Sequence, residues 1–303
     1  MIYNVEMDPK LVIVVSNSNK YPAKFMIPIL KATWDKSSNI KIIYYQGDSN
    51  EFKLVGSDLY VPESGKDSEQ WIKTIKAYEW VYNNIEFDIL FGVTASSYLN
   101  FKNMISFLKD KPSNKLYCSL PNTYPPYPME GVSDIAFGSG AGLFLSKDLV
   151  RLLIDKQNMV DSSLPNDVAY GKLFIHDHKI TLTGGKRQDF RKFPRSKEIE
   201  LEQYHYRFDI KTNKYPRYLE IFLLLYIHFN ILKKEDFLKK ILNFVFEIFF
   251  IFIFELLRLL NPLFFLPLLN EARYQVLKFS VWVIKSNRVS LYVARLIKRF
   301  LSQ

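Results

Sequence analysis

Short apolar runs divided by polar turns fill the first two thirds of the chain, and long apolar stretches fill the last third. Leu11 to Val15 is rich in β-branched residues and ends in the polar loop Ser16-Asn17-Ser18-Asn19, which predicts a buried strand. Ile40 to Tyr45, closed by Gly47-Asp48, predicts a second strand, and Asp58 to Val61 a third. A fourth, Phe87 to Phe91, runs into Thr94-Ala95-Ser96-Ser97. Trp71, Ile75, Tyr78 and Val81 recur at helical spacing, so a helix is expected from about Ser68 to Asn83 with these residues on its buried side. Further helices are expected at 101–109 and 147–155. Strands alternating with helices predict an α/β sheet with function at the strand ends.

Other segments read less regularly. Pro121 to Pro128 is expected to be an extended loop, and residues 184–198 a polar, basic one. Gly138-Ser139-Gly140-Ala141-Gly142 offers small residues, where the backbone can approach a ligand or a neighbouring strand. His205 to Phe208 is strand-like. His176 and His178 would share a face on a strand, but a lone His-x-His is a weak metal signal, and a solvated strand edge is the preferred reading.

From Tyr215 onward the character changes. Residues 218–231 and 241–260 are strongly apolar, with breaks at Asn261-Pro262 and Pro267. Asn243, Glu247, Glu255 and Arg258 share one side of the second stretch, which falls short of the ~20 uninterrupted apolar residues of a span and fits a helix lying in an interface. Lys285 to Gln303 reads as a helix with Lys285, Arg288, Arg295, Lys298 and Arg299 on one face and Val289, Val293, Leu296, Ile297 and Phe300 on the other. The expected division is an α/β domain over 1–211 and a helical, basic and aromatic region over 212–303 that associates with a membrane or oligomerises.

Charge sharpens that division. The net charge of +10 is local: residues 1–183 carry 19 Lys and Arg against 20 Asp and Glu, whereas residues 212–303 carry 14 against 6. A basic stripe beside apolar surface suits anionic headgroups, at roughly 1 kcal/mol per Lys or Arg near the surface. The bland alternative is a helical subdomain buried against the first domain or a second copy. No nucleic-acid partner is expected, because the basic residues form a helix face paired with an apolar one and no aromatic platform accompanies them. Cys118 is alone, so no intramolecular disulfide forms and a reducing compartment is expected. The first apolar run is too short for a signal peptide or anchor, which places the α/β part, as an expectation, on the cytoplasmic face of a membrane as a peripheral protein.

Several segments occur together in one order: Thr33-Trp34, Lys73-Thr74 with Trp80, Phe87-Asp88-Ile89-Leu90, Tyr98-Leu99-Asn100, Tyr124-Pro125-Pro126-Tyr127-Pro128, Gly140 to Ser146, and Asn166-Asp167-Val168-Ala169-Tyr170-Gly171. As a set, over roughly residues 10–210, they resemble the β-1,3-galactosyltransferase and Fringe group of GT-A glycosyltransferases. The resemblance implies a GT-A, Rossmann-like mixed sheet flanked by helices. It also implies an inverting transfer of sugar from a nucleotide-diphosphate donor, UDP-linked first, to a lipid-linked or surface glycan.

On that resemblance Asp167 is the base, with a helix N-cap as its structural alternative. The donor falls to Ser16, Asn17, Asn19, Asp48, Thr94, Ser96, Ser97, Lys186, His205, Arg207 and Lys211, and the acceptor to Tyr127 and Gly140. One departure matters. Where the family has aspartates that hold Mn²⁺ or Mg²⁺, this chain has Thr94-Ala95-Ser96, which lack anionic oxygens. Three readings stay open: metal-free transfer with Lys and Arg compensating the leaving diphosphate, a metal held elsewhere, as by Asp134 or His178, and a non-catalytic sugar- or nucleotide-binding scaffold.

Overall fold

The computed structural model describes residues 9–17, 23–34, 40–47, 49–63, 70–124, 134–192, 194–209 and 219–232. The chain divides into two compact units: Met1–Lys24, Ser38–Gln188 and Glu202–Arg207 form one, and Phe25–Ser37, Asp189–Leu201 and Phe208–Gln303 the other. The boundary expected at 211 lies outside the described residues.

The β-branched run opening the chain forms β1 (Leu11–Ser16), buried along almost its whole length. After α1 (Ala23–Ala32), β2 (Lys41–Gln46) pairs parallel to β1. A short hairpin, β3 (Lys53–Val55) and β4 (Asp58–Tyr60), then extends that edge, with β4 parallel to β2. Helix α2 (Gln70–Asn84) carries the chain to the other side of β1, where β5 (Ile89–Thr94) pairs parallel with it. The strand β6 (Ser97–Leu99) and helix α3 (Phe101–Leu108) follow, and Asn100 caps α3 by accepting from the Asn103 amide.

Two long strands, β7 (Tyr117–Tyr124) and β8 (Ile135–Ser146), form a hairpin, and β8 runs antiparallel to β5. Helices α4 (Lys147–Asp155) and α5 (Asn166–Gly171) lead through a π-helical turn at Lys172–Asp177 to β9 (Leu182–Gly184). The β9 strand closes the sheet, whose order is β3-β4-β2-β1-β5-β8-β7-β9. This is the mixed α/β sheet flanked by helices that the GT-A resemblance implies.

One face of the sheet, through Val12, Val14, Ile43, Tyr45, Leu90, Leu143 and Leu145, shares a core with α2, α4 and α5. Each such side chain contributes about 1.5–3 kcal/mol by leaving water. On the other face Phe91, Phe144, Phe107 and Tyr204 form an aromatic cluster, with Phe91 and Phe144 centroids 4.3 Å apart. The strand β10 (Arg187–Phe190) precedes β11 (His205–Phe208), and β11 pairs antiparallel with β6, His205 opposite Leu99 and Arg207 opposite Ser97. His205 is buried against the edge of the Phe91 ring, and its Nε2 lies 2.9 Å from the hydroxyl of buried Ser97. In the second unit α6 (Leu219–Leu232) is the helix expected over 218–231, and Leu223 through Ile227 are all buried.

Three expectations are corrected. Pro121 to Tyr124 belong to β7, and the ladder shifts register between Ser119 and Pro121 because a proline has no amide to donate; residues 125–128 lie outside the described residues. The supposed basic loop of 184–198 contains β10 and a helical turn at Ser196–Glu198. His176 stands on the π-helical turn and His178 at its end, so the two do not share a strand face.

Gly92 has a specific steric reason. A Cβ there would collide with the Tyr78 hydroxyl and stand 3.1 Å from its ring carbon Cζ. Gly92→Ala is therefore expected to lose about 1–3 kcal/mol by overpacking. Adding Tyr78→Phe should return most of that in urea denaturation, and equal losses in the single and double variants would refute the contact.

Burial, and then the charges of Arg187 and Arg207, push the His205 pKa well below its ordinary value of 6.5. Protonation thus favours the unfolded chain: above pH 6.5 there is no penalty, and stability falls as pH drops below it, by at most about 1.4 kcal/mol per pH unit per histidine. His228, pushed down to about 4 by burial, adds a slope of the same sign. His205→Gln should roughly halve the loss between pH 6 and 5 in denaturation series, and an unchanged slope would contradict the burial.

Candidate active site at the carboxyl edge of the sheet

The chain leaves β1 for β2 and β4 on one side, then crosses through α2 to β5 on the opposite side of β1. Between the carboxyl ends of β1 and β5 this leaves a crevice, the place where open α/β sheets take ligands. A cavity of about 280 Å³ lies there, lined by Ser16 of β1, Gln70, Thr74 and Tyr78 of α2, Gly92 to Thr94 of β5, Gly140 of β8, and Asp167 and Tyr170 of α5.

Its floor is a chain of hydrogen bonds. Gln70 Nε2 donates to Ser16 Oγ at 2.9 Å and to the Tyr45 hydroxyl at 3.0 Å. Tyr45 and Thr74 hydroxyls are 2.7 Å apart, and Thr74 donates to the Gln70 carbonyl at 2.8 Å, the helical i−4 bond. Burial pushes the hydroxyl pKa values of Tyr45, Tyr78 and Tyr170 above the tyrosine range, so all three stay protonated donors at any ordinary pH.

Asp167 reaches the cavity from the first turn of α5, whose N-cap is Pro165, so it is not the capping residue. Its Oδ2 accepts from the Gly140 amide at 2.9 Å, and a Cβ on Gly140 would stand 3.0 Å from the Asp167 Cβ, so the glycine lets helix and strand meet. The incoming loop is fixed by Asp161, which accepts from the amide and hydroxyl of Ser163 and pairs with Lys172 at 3.0 Å. Those bonds hold the Asp161 carboxyl down at about 2.

The structure thus brings Ser16, Thr94, Gly140 and Asp167 to one cavity. Asn17 lies one residue past β1, its amide donating to the Tyr45 carbonyl and its Nδ2 3.4 Å from Gln46 Oε1. Ser96 is half-buried between β5 and β6, while Ser97 and His205 bond each other in the core. Lys186 has an exposed side chain, and its amide donates to the Tyr204 hydroxyl. Its neighbour Arg187 donates to Ser139 Oγ at 2.9 Å, beside Gly140. Asn19, Asp48, Tyr127 and Lys211 lie outside the described residues.

Among the described residues the site's donors do not fit a divalent ion. Thr94, Ala95 and Ser96 supply no carboxylate, and among the described residues no three His, Cys, Asp or Glu side chains are placed to hold a metal ion. Both Arg187 and Arg207 act electrostatically on His205, which is bonded to Ser97 just past Thr94-Ala95-Ser96.

Sequence reasoning missed Gln70, Thr74, Tyr45 and Tyr170, and assigned Tyr78 to the core alone. The available signal was the spacing of Gln70, Thr74 and Tyr78, four residues apart and so one stripe of α2.

No protein-family model matches the chain, and no curated protein matches it in sequence. Among solved structures, a crystal structure described as a glycosyltransferase involved in the glycosylation of the major capsid of PBCV-1 aligns with a TM-score of 0.42 and 9% identity, covering 71% of this chain and 98% of that one. At that level the likeness bears on neither activity nor residues.

Proposed function

We propose that the chain is an inverting glycosyltransferase that moves a sugar from a nucleotide-diphosphate donor, UDP-linked first, to a lipid-linked or surface glycan, without a divalent metal. The observation that supports this reading best is the crevice between β1 and β5 with one carboxylate, Asp167, on its wall. Because the Gly140 amide holds Oδ2, and only the Val168 amide approaches Oδ1, at 3.2 Å, Oδ1 is the oxygen left to accept a proton. In the proposed step an acceptor hydroxyl oxygen bonds to the anomeric carbon, its proton passes to Oδ1, and the bond from that carbon to the diphosphate oxygen breaks. Arg187 and Arg207, joined by Lys186 and Lys211, compensate the departing charge in place of a metal ion.

Asp167→Asn tests the base. The amide oxygen can still accept from Gly140 at an exposed position, so stability should change by less than about 1 kcal/mol. Donor affinity should hold, and the transfer rate should fall by about 10²–10⁴-fold. A full rate would remove Asp167 from the mechanism. Donor turnover in EDTA separates the alternatives: turnover that survives supports metal-free transfer, turnover restored by Mn²⁺ supports a metal held elsewhere, and no turnover with any donor supports a binding scaffold.

The second part of the proposal is that residues 212–303 hold the protein on the cytoplasmic face of a membrane. No described helix is long and apolar enough to cross one, and the excess of 14 Lys and Arg over 6 Asp and Glu favours anionic lipid. The full chain should co-sediment with vesicles containing phosphatidylserine, weakly with phosphatidylcholine alone, and progressively less as salt rises. Equal recovery on both lipids would argue for an oligomerising tail.

A further inference from the structure

The floor of the cavity has a fixed hydrogen-bond polarity. The Thr74 proton is committed to the Gln70 backbone carbonyl, so Tyr45 must donate to Thr74, and the Tyr45 oxygen can only accept. The Gln70 amide must therefore turn its NH₂ toward Tyr45 and Ser16, where both N–H groups are used. Its Oε1, bonded to no described residue, is left as an acceptor.

Tyr78 stands opposite in character. Its side chain is 4% exposed and lines the cavity, with the hydroxyl lying over Gly92, where only the missing Cβ makes room. That hydroxyl makes no hydrogen bond to a described residue; burial and the nearby Tyr45 account for the whole rise of its pKa. A buried hydroxyl facing a cavity without a protein partner is a donor kept for something that enters. At about 280 Å³ the cavity lies just below the range of ligand pockets, about 300 to 1,000 Å³, and suits one ring rather than a whole nucleotide sugar.

The geometry points to Tyr78 and Gln70 as the pair that selects the transferred sugar, Tyr78 donating to one ring hydroxyl and Gln70 Oε1 accepting from another. This assignment rests on the donor reading above. A sugar lacking the matched hydroxyl leaves buried polar groups unpaired, the kind of mismatch that binding sites discriminate against most strongly. The order of the floor also explains why the selector is rigid: moving the Gln70 amide breaks its bonds to Ser16 and Tyr45 together.

The test uses the full chain, as wild type, Tyr78→Phe and Gln70→Leu. Melting temperature and affinity are measured with UDP, GDP, UDP-glucose, UDP-galactose, UDP-N-acetylglucosamine and GDP-mannose. A nucleotide sugar should bind wild type more tightly than its own diphosphate. Tyr78→Phe should melt at or above wild type without ligand, bind the diphosphate equally, and weaken the nucleotide sugar at least tenfold; Gln70→Leu should lose the same sugar-dependent affinity. A lower ligand-free melting temperature for Tyr78→Phe overturns the assignment, because a structural hydroxyl would be missed. So does an unchanged sugar-dependent affinity, or diphosphate binding to which no sugar adds; in both cases the donor reading stands. If wild type binds neither diphosphates nor nucleotide sugars, the donor reading falls and the assignment falls with it.

Discussion

Everything at the candidate site depends on two glycine backbones that let side chains from α2 and α5 approach where a Cβ would keep them away. At Gly92 the β5 backbone yields its Cβ space to the Tyr78 hydroxyl, and at Gly140 the β8 backbone meets the start of α5 closely enough to bond Asp167. Parallel β1 and β5 provide the crevice, and ordinary residues at these positions would displace Tyr78 and Asp167 from its lining. Two glycines on adjacent antiparallel strands thus seat the residues of α2 and α5 that line the cavity, the carboxylate at its wall among them.

Among the described residues the electrostatic character of this edge differs from that of a carboxylate-cluster metal site. Thr94 and Ser96 bring no carboxylate to the end of β5, while Arg187 and Arg207 act on the buried His205. Under the proposed chemistry that difference has a kinetic meaning. Guanidinium groups are fixed in charge and bring several donors in a plane, so they can hold a diphosphate without first recruiting an ion from solution.

Much of the fold was legible because its signals are local. The β-branched run at Leu11–Val15 and the helical spacing of Ile75, Tyr78 and Val81 each point one way, and each element forms within a few residues of the expected limits. The hairpin of β7 and β8 was less legible, because Pro121 reads as a loop residue and only the register shift beside it explains how the strand tolerates it. Asp167 and Ser16 could be named from a motif and a strand end. Gln70 and Thr74 were legible only as one stripe of α2; their chemistry arises from bonds to Tyr45 of β2, a contact no linear pattern records. Tyr78 shows the limit most plainly: periodicity shows which face of the helix it is on, and is silent about whether its hydroxyl finds a partner.

The bond between Ser97 and His205 joins positions 108 residues apart. Closing so long a segment is entropically unfavourable early in folding, and such non-local pairings form late. On the ribosome, therefore, the strand bearing Arg207 reaches its neighbour only after the whole eight-stranded sheet has left the exit tunnel. A nascent chain halted before that point would already own the crevice and the carboxylate, yet lack the strand that carries Arg207.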